Sequence, residues 1–113
     1  MFDDYLKVDP LLLVEALRDI STILGDSDDT PISGALFCIK HNWEFDVRNK
    51  IWSALDRLIL VEPVANLHFS TVDDFLRSEV PLLEDLTQTE MKVLIKSFAK
   101  TVNLELYEFS QSI

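Results

Sequence analysis

Cysteine occurs once, at position 38, so no disulfide can form within the chain and nothing points to assembly in an oxidising compartment. Glycine appears twice and proline four times in 113 residues, which excludes collagen-like repeats and Gly-rich phosphate loops. Bases are scarce: 10 Lys and Arg face 20 Asp and Glu, and the net charge of −10 repels a phosphate backbone. Direct nucleic-acid binding is therefore not expected. The longest purely apolar run, residues 35–39, is far short of the roughly 20 residues that cross a bilayer, so no membrane span is expected. The opening Met1-Phe2-Asp3-Asp4-Tyr5 is acidic where a signal peptide is basic, and the expected compartment is the cytoplasm.

What is present is a helical pattern. Hydrophobic residues make up 48% of the chain, enough to bury a core, and residues 1–113 read as a single helical domain. Asp9-Pro10 is a cap followed by proline at the first helical position, and Leu13, Ala16, Leu17, Ile20, Ile23 and Leu24 repeat at threes and fours over 10–24. Gly25 supplies the left-handed stop. Thr30-Pro31 repeats the cap-plus-proline signal ahead of a short helix, apolar nearly all round and expected to lie centrally, that ends near His41-Asn42. Over 44–60, Val47, Ile51, Ala54, Leu55 and Leu58 share a face, widened by Phe45, Trp52 and Ile59. Glu44 with Arg48 and Asp46 with Lys50 are acid-before-base pairs at i,i+4.

Residues 64–69 alternate weakly, without a partner strand. Ser70 and Thr71 are candidate caps for a helix over 72–79, Pro81 ends it, and one further turn follows at 82–86. Thr87-Gln88-Thr89-Glu90 is a capping box, and Met91, Leu94, Ile95, Phe98, Ala99 and Val102 form the cleanest stripe in the chain. The tail, 104–109, fits a helix or a short extended edge. The expected fold is an all-α compact bundle of five to six helices, a monomer or weak dimer, with Leu17, Ile20, Leu36, Ile51, Leu55, Leu58, Leu94 and Phe98 in its core.

No catalytic constellation is present: there is no nucleophile elbow, no His-anchored triad, and the pairs Asp73/Asp74 and Glu84/Asp85 are adjacent residues that diverge on a helix. An enzyme is not expected. Nor is a cofactor or metal. Asp26-Ser27-Asp28-Asp29 would open a calcium loop only with Gly at its sixth and Glu at its twelfth position, where Pro31 and Phe37 stand. Cys38 and His41, with His68 as a third group, fall short of the four ligands of structural zinc, and Cys38 between Phe37 and Ile39 reads as a small buried hydrophobe. Lys92, Lys96 and Lys100 line one flank of the last strong helix, as a solvated face that also answers its C-terminal dipole.

The charge falls in blocks. Residues 1–29 carry a balance of −6, with eight acids against Lys7 and Arg18, and residues 62–91 again −6, with seven acids against Arg77 alone. The segments between and after them are each +1. Asp26, Asp28, Asp29, Asp73, Asp74, Glu84 and Asp85 sit in loops or helix starts, and Trp43 at a helix entrance, which makes these eight the candidate partner-binding residues. Small size, acidity and a Leu-rich helical framework carrying two acidic blocks resemble, in overall character, the bacterial immunity proteins that neutralise colicin-type or contact-dependent growth-inhibition toxins. That resemblance implies a one-to-one complex with a basic toxin domain, commonly a nuclease, whose cleft the carboxylates would cover. The alternatives are a nucleic-acid-mimicking inhibitor of a DNA-binding protein and a non-enzymatic helical adaptor.

Overall fold

Asp9 begins the first helix as its sequence promises: its carboxylate accepts the Leu11 N–H at 2.8 Å, and Pro10 follows at a position where no N–H is needed. The computed structural model describes residues 9–27 and 30–113. Among them are six α-helices and no strand. They are α1 (Pro10–Ile23), α2 (Gly34–Lys40), α3 (Phe45–Val61), α4 (Phe69–Glu79), α5 (Gln88–Val102) and α6 (Leu104–Ser110). Two 3-10 turns, Val64–Asn66 and Pro81–Asp85, link α3 to α4 and α4 to α5. No described helix is long and apolar enough to cross a membrane.

The core is built around α5, which lies against α2, α3 and α6. Its capping box forms in both directions: Glu90 N–H donates to Thr87 Oγ1 at 3.1 Å, and Thr87 N–H to Glu90 Oε1 at 2.9 Å. The stripe that starts there buries Met91, Leu94, Ile95, Phe98 and Ala99, each large side chain contributing about 1.5–3 kcal/mol by leaving water. Ile51, Ala54, Leu55 and Leu58 of α3, Val72 and Leu76 of α4, Leu83 of the second turn and Leu106 of α6 close around it. The tail resolves as helix because Asn103 caps it, its side chain accepting from the Glu105 and Leu106 N–H groups.

Several expectations need correction. Leu17, Ile20 and Leu36 are not core: the first two are more than half exposed, Leu36 is half-buried outside the core cluster, and α1 buries no residue, so its apolar stripe is real but uncovered. Ser33, not Thr30, caps α2, accepting from Leu36 N–H at 3.1 Å. That helix buries Gly34, Phe37 and Cys38 but leaves Ile39 66% exposed, so it lies at the edge of the core. Helix α4 starts at Phe69, ahead of Ser70 and Thr71, with His68 as an extended cap residue making no side-chain bond. Finally, Phe45 is 76% exposed at the start of α3, and Arg48 bonds Asn49 Oδ1 instead of Glu44.

Candidate functional site

The second acidic block is organised by its one strong base. Arg77, on the last turn of α4, folds inward: Nε donates to Asp73 Oδ1 at 2.8 Å, Nη1 to the Leu83 and Glu84 carbonyls at 3.0 and 2.9 Å, and Nη2 to the Leu86 carbonyl at 2.8 Å. The planar guanidinium suits this use, since its donors point in fixed directions that match converging carbonyls. Two consequences follow. The turn Pro81–Asp85 is tied alongside α4, with the Glu84 carbonyl held by the same guanidinium as the Asp73 carboxylate. Arg77 is also withdrawn from the surface, so Asp74, Glu84 and Asp85 stand exposed with no ion-pair partner among the described residues. Glu79, by contrast, is answered by Arg57 of α3 at 3.1 Å.

The other candidates are placed differently. Asp26 is only 12% exposed at its side chain and is engaged: Oδ1 accepts the Ile32 N–H at 3.0 Å and Oδ2 the Lys40 ammonium at 2.7 Å, while Lys40 also donates to the Ser27 carbonyl. Burial works against its charged form, but the Lys40 ammonium and the Ile32 amide outweigh it and hold the carboxyl below its ordinary value. Asp26 therefore clasps the α1–α2 connection. Asp28 and Asp29 lie outside the described residues. Asp73 is likewise engaged, by Arg77, at 20% side-chain exposure. No hydrogen bond or ion pair among the described residues joins Asp26 to the α4 group.

Trp43 is positioned by the way α2 ends. Asn42 takes the left-handed conformation at φ 58, its N–H donates to the Ile39 carbonyl, and the Trp43 N–H reaches back to the Cys38 carbonyl at 2.9 Å. This is the Schellman arrangement, in which the residue after the left-handed position contacts the last helical turn. Trp43 does so: its ring lies 5.7 Å from Phe37 and 4.9 Å from His41, and it is half-buried. His41 stacks on Phe37 at 4.1 Å, and its Nε2 is 3.6 Å from Glu90 of α5. Hydrogen bonds from Thr87, backbone and side chain, lead in holding the Glu90 carboxyl below its ordinary value, with His41 adding to them.

Cys38 is buried and its thiol is pushed up by that burial, against a small opposing pull from Arg48, so it stays a thiol at neutral pH. No group of three or more His, Cys, Asp or Glu among the described residues is arranged to hold a metal ion. Of the lysine flank, Lys92 sits over the Phe69 ring at 5.2 Å and Lys100 over Tyr107 at 5.9 Å, cation–π contacts within the chain. No protein-family model, curated protein or solved structure matches the chain.

Arg77 is the residue that reading the sequence missed. The signal was there, a single Arg in a block of seven acids, but its role depends on which carbonyls the second turn presents.

Proposed function

We propose that this is a binding protein without chemistry of its own, of the toxin-immunity kind, and that its working surface is the acidic stretch of α4 and the turn Pro81–Asp85. The observation that carries this reading is the inward-turned Arg77: with that base spent on Asp73 and three carbonyls, Asp74, Glu84 and Asp85 are left solvated and uncompensated on neighbouring elements. Carboxylates so presented match a cleft that binds phosphates. A basic nuclease domain would be steered to them over a long range and blocked when they occupy the places of the backbone phosphates.

The test is co-expression and co-purification with the product of the adjacent gene, followed by affinity measurements on charge-reversed variants. Asp74→Lys/Asp85→Lys should weaken the complex by about tenfold or more and remove protection of the producing cell, with the melting temperature unchanged. Full affinity in that double variant would move the interface elsewhere. Absence of any complex would reject the immunity reading and leave the helical adaptor.

A further inference from the structure

Helix α1 is a 14-residue amphipathic helix with no buried side chain. A helix of that length is marginal in water without a surface to cover its apolar face. Leu17 is 54% exposed, Ile20 55%, Val14 50% and Leu24 64%, on an arc that the polar residues Glu15 and Asp19 do not enter, since they fall on the opposite side of the helix. Between this arc and α2 runs an open groove of about 540 Å3, walled by Val14, Leu17 and Ile20 on one side and by Ile32, Leu36 and Ile39 on the other. We infer that the groove is a homodimer interface, in which α1 of one copy lies in the α1–α2 groove of a second around a two-fold axis.

Area favours this occupant. At about half exposure an aliphatic side chain of this size presents on the order of 100 Å2, so Val14, Leu17, Ile20, Leu24 and Ile39 together leave roughly 500 Å2 of apolar surface in water on this face. That is in the upper part of the range for the largest patch of a monomer, about 300–600 Å2, and two such faces covering each other remove about 1,000 Å2, the area at which a specific interface begins. Charge favours it too. A chain of net charge −10 can meet itself only through a surface free of acids, and the one charged residue lining the groove, Arg18, is already paired with Glu15 at 2.9 Å. The face is self-complementary as a two-fold contact requires, because α1 is both the ridge that inserts and one wall of the slot that receives. The acidic stretch of α4 is a different surface and does not enter the contact as drawn.

Sedimentation equilibrium on the full chain between about 1 and 200 μM decides the matter, read beside Leu17→Glu/Ile20→Glu and the control Phe45→Glu, whose ring is exposed on α3. Dimers in the wild type and the control, with monomers in the double variant, support the interface. A wild type that stays monomeric overturns it and leaves the groove to another protein. A double variant that still dimerises places any dimer contact elsewhere and also overturns it. Amide exchange in the wild type gives an answer independent of any variant: protection across residues 10–23 must rise with protein concentration, and concentration-independent exchange contradicts the dimer.

Discussion

Gly34 shows how tightly α2 is set against α5. A Cβ built on Gly34 would lie 2.5, 2.6 and 2.7 Å from three carbons of the Phe98 ring. Carbon atoms pack at about 3.5–4.0 Å, so Gly34→Ala demands a shift near 1 Å from a ring that is fully buried. Leu55, Leu94 and Ile95 belong to the same core cluster and are fully buried as well, and a close-packed core gives such a ring little room. Overpacking of this kind costs about 1–3 kcal/mol, and since Gly34 is the first residue of its helix, the gain from replacing glycine offsets only a small part. Urea unfolding followed by Trp fluorescence should therefore show a lower midpoint for Gly34→Ala with an unchanged slope. The double variant Gly34→Ala/Phe98→Leu supplies the internal check: with the ring gone the methyl fits, so the two losses should add to less than their sum by about 1 kcal/mol or more. A Gly34→Ala protein as stable as wild type, or strictly additive losses, would refute the close packing of α2 on Phe98.

Arg77→Met should cost about 2–4 kcal/mol, because it strips three carbonyls and Asp73 of a charged donor at a half-buried site, and chemical denaturation measures it; a loss below about 0.5 kcal/mol would show that water replaces the guanidinium freely. Asn42→Gly should stabilise and Asn42→Val destabilise, each by about 1 kcal/mol, since the left-handed backbone there penalises a branched Cβ; equal melting temperatures would contradict the α2 ending described. Asp26 and Glu90 have carboxyls held below their ordinary values, so each adds stability that is fully present above the ordinary carboxylate range and is lost as pH falls through the lower folded value. Asp26→Asn/Glu90→Gln should accordingly lose less stability than wild type between about pH 5 and pH 3 in thermal melts, and parallel curves would remove both groups from the acid response.

Local signals in the chain mapped closely onto local structure. The Asp9-Pro10 start, the Gly25 stop at φ 89, the Thr87–Glu90 capping box and the α5 stripe all depend on residues within a turn or two of one another, and each forms. The all-α class follows from the same signals. Long-range facts were not legible. The periodicity of α1 is as regular as that of α5, yet α5 is covered on three sides and α1 on none, because periodicity specifies a face without specifying what meets it. Charge counting had the same reach: it located the acidic block of residues 62–91, but Asp26 and Asp73 proved to be consumed by Lys40 and Arg77, and only Asp74, Glu84 and Asp85 are left as unpaired surface acids of the candidates described. The position of Trp43 at a helix boundary is legible in the sequence; the Schellman ending that seats it on Phe37 depends on the conformation of Asn42, which a non-glycine residue does not advertise.

The most direct test of the proposed acidic capture surface is the association rate constant with the partner protein that co-purifies from the adjacent gene, taken by stopped-flow fluorescence from about 0.05 to 0.5 M salt, for wild type and for Asp74→Lys/Asp85→Lys. Electrostatic capture through α4 and the Pro81–Asp85 turn predicts that the wild-type rate falls by about tenfold or more across that range, that the reversed variant starts slow and changes little, and that dissociation is nearly independent of salt. A wild-type association rate that is flat with salt, or one that falls equally steeply in the reversed variant, would contradict it.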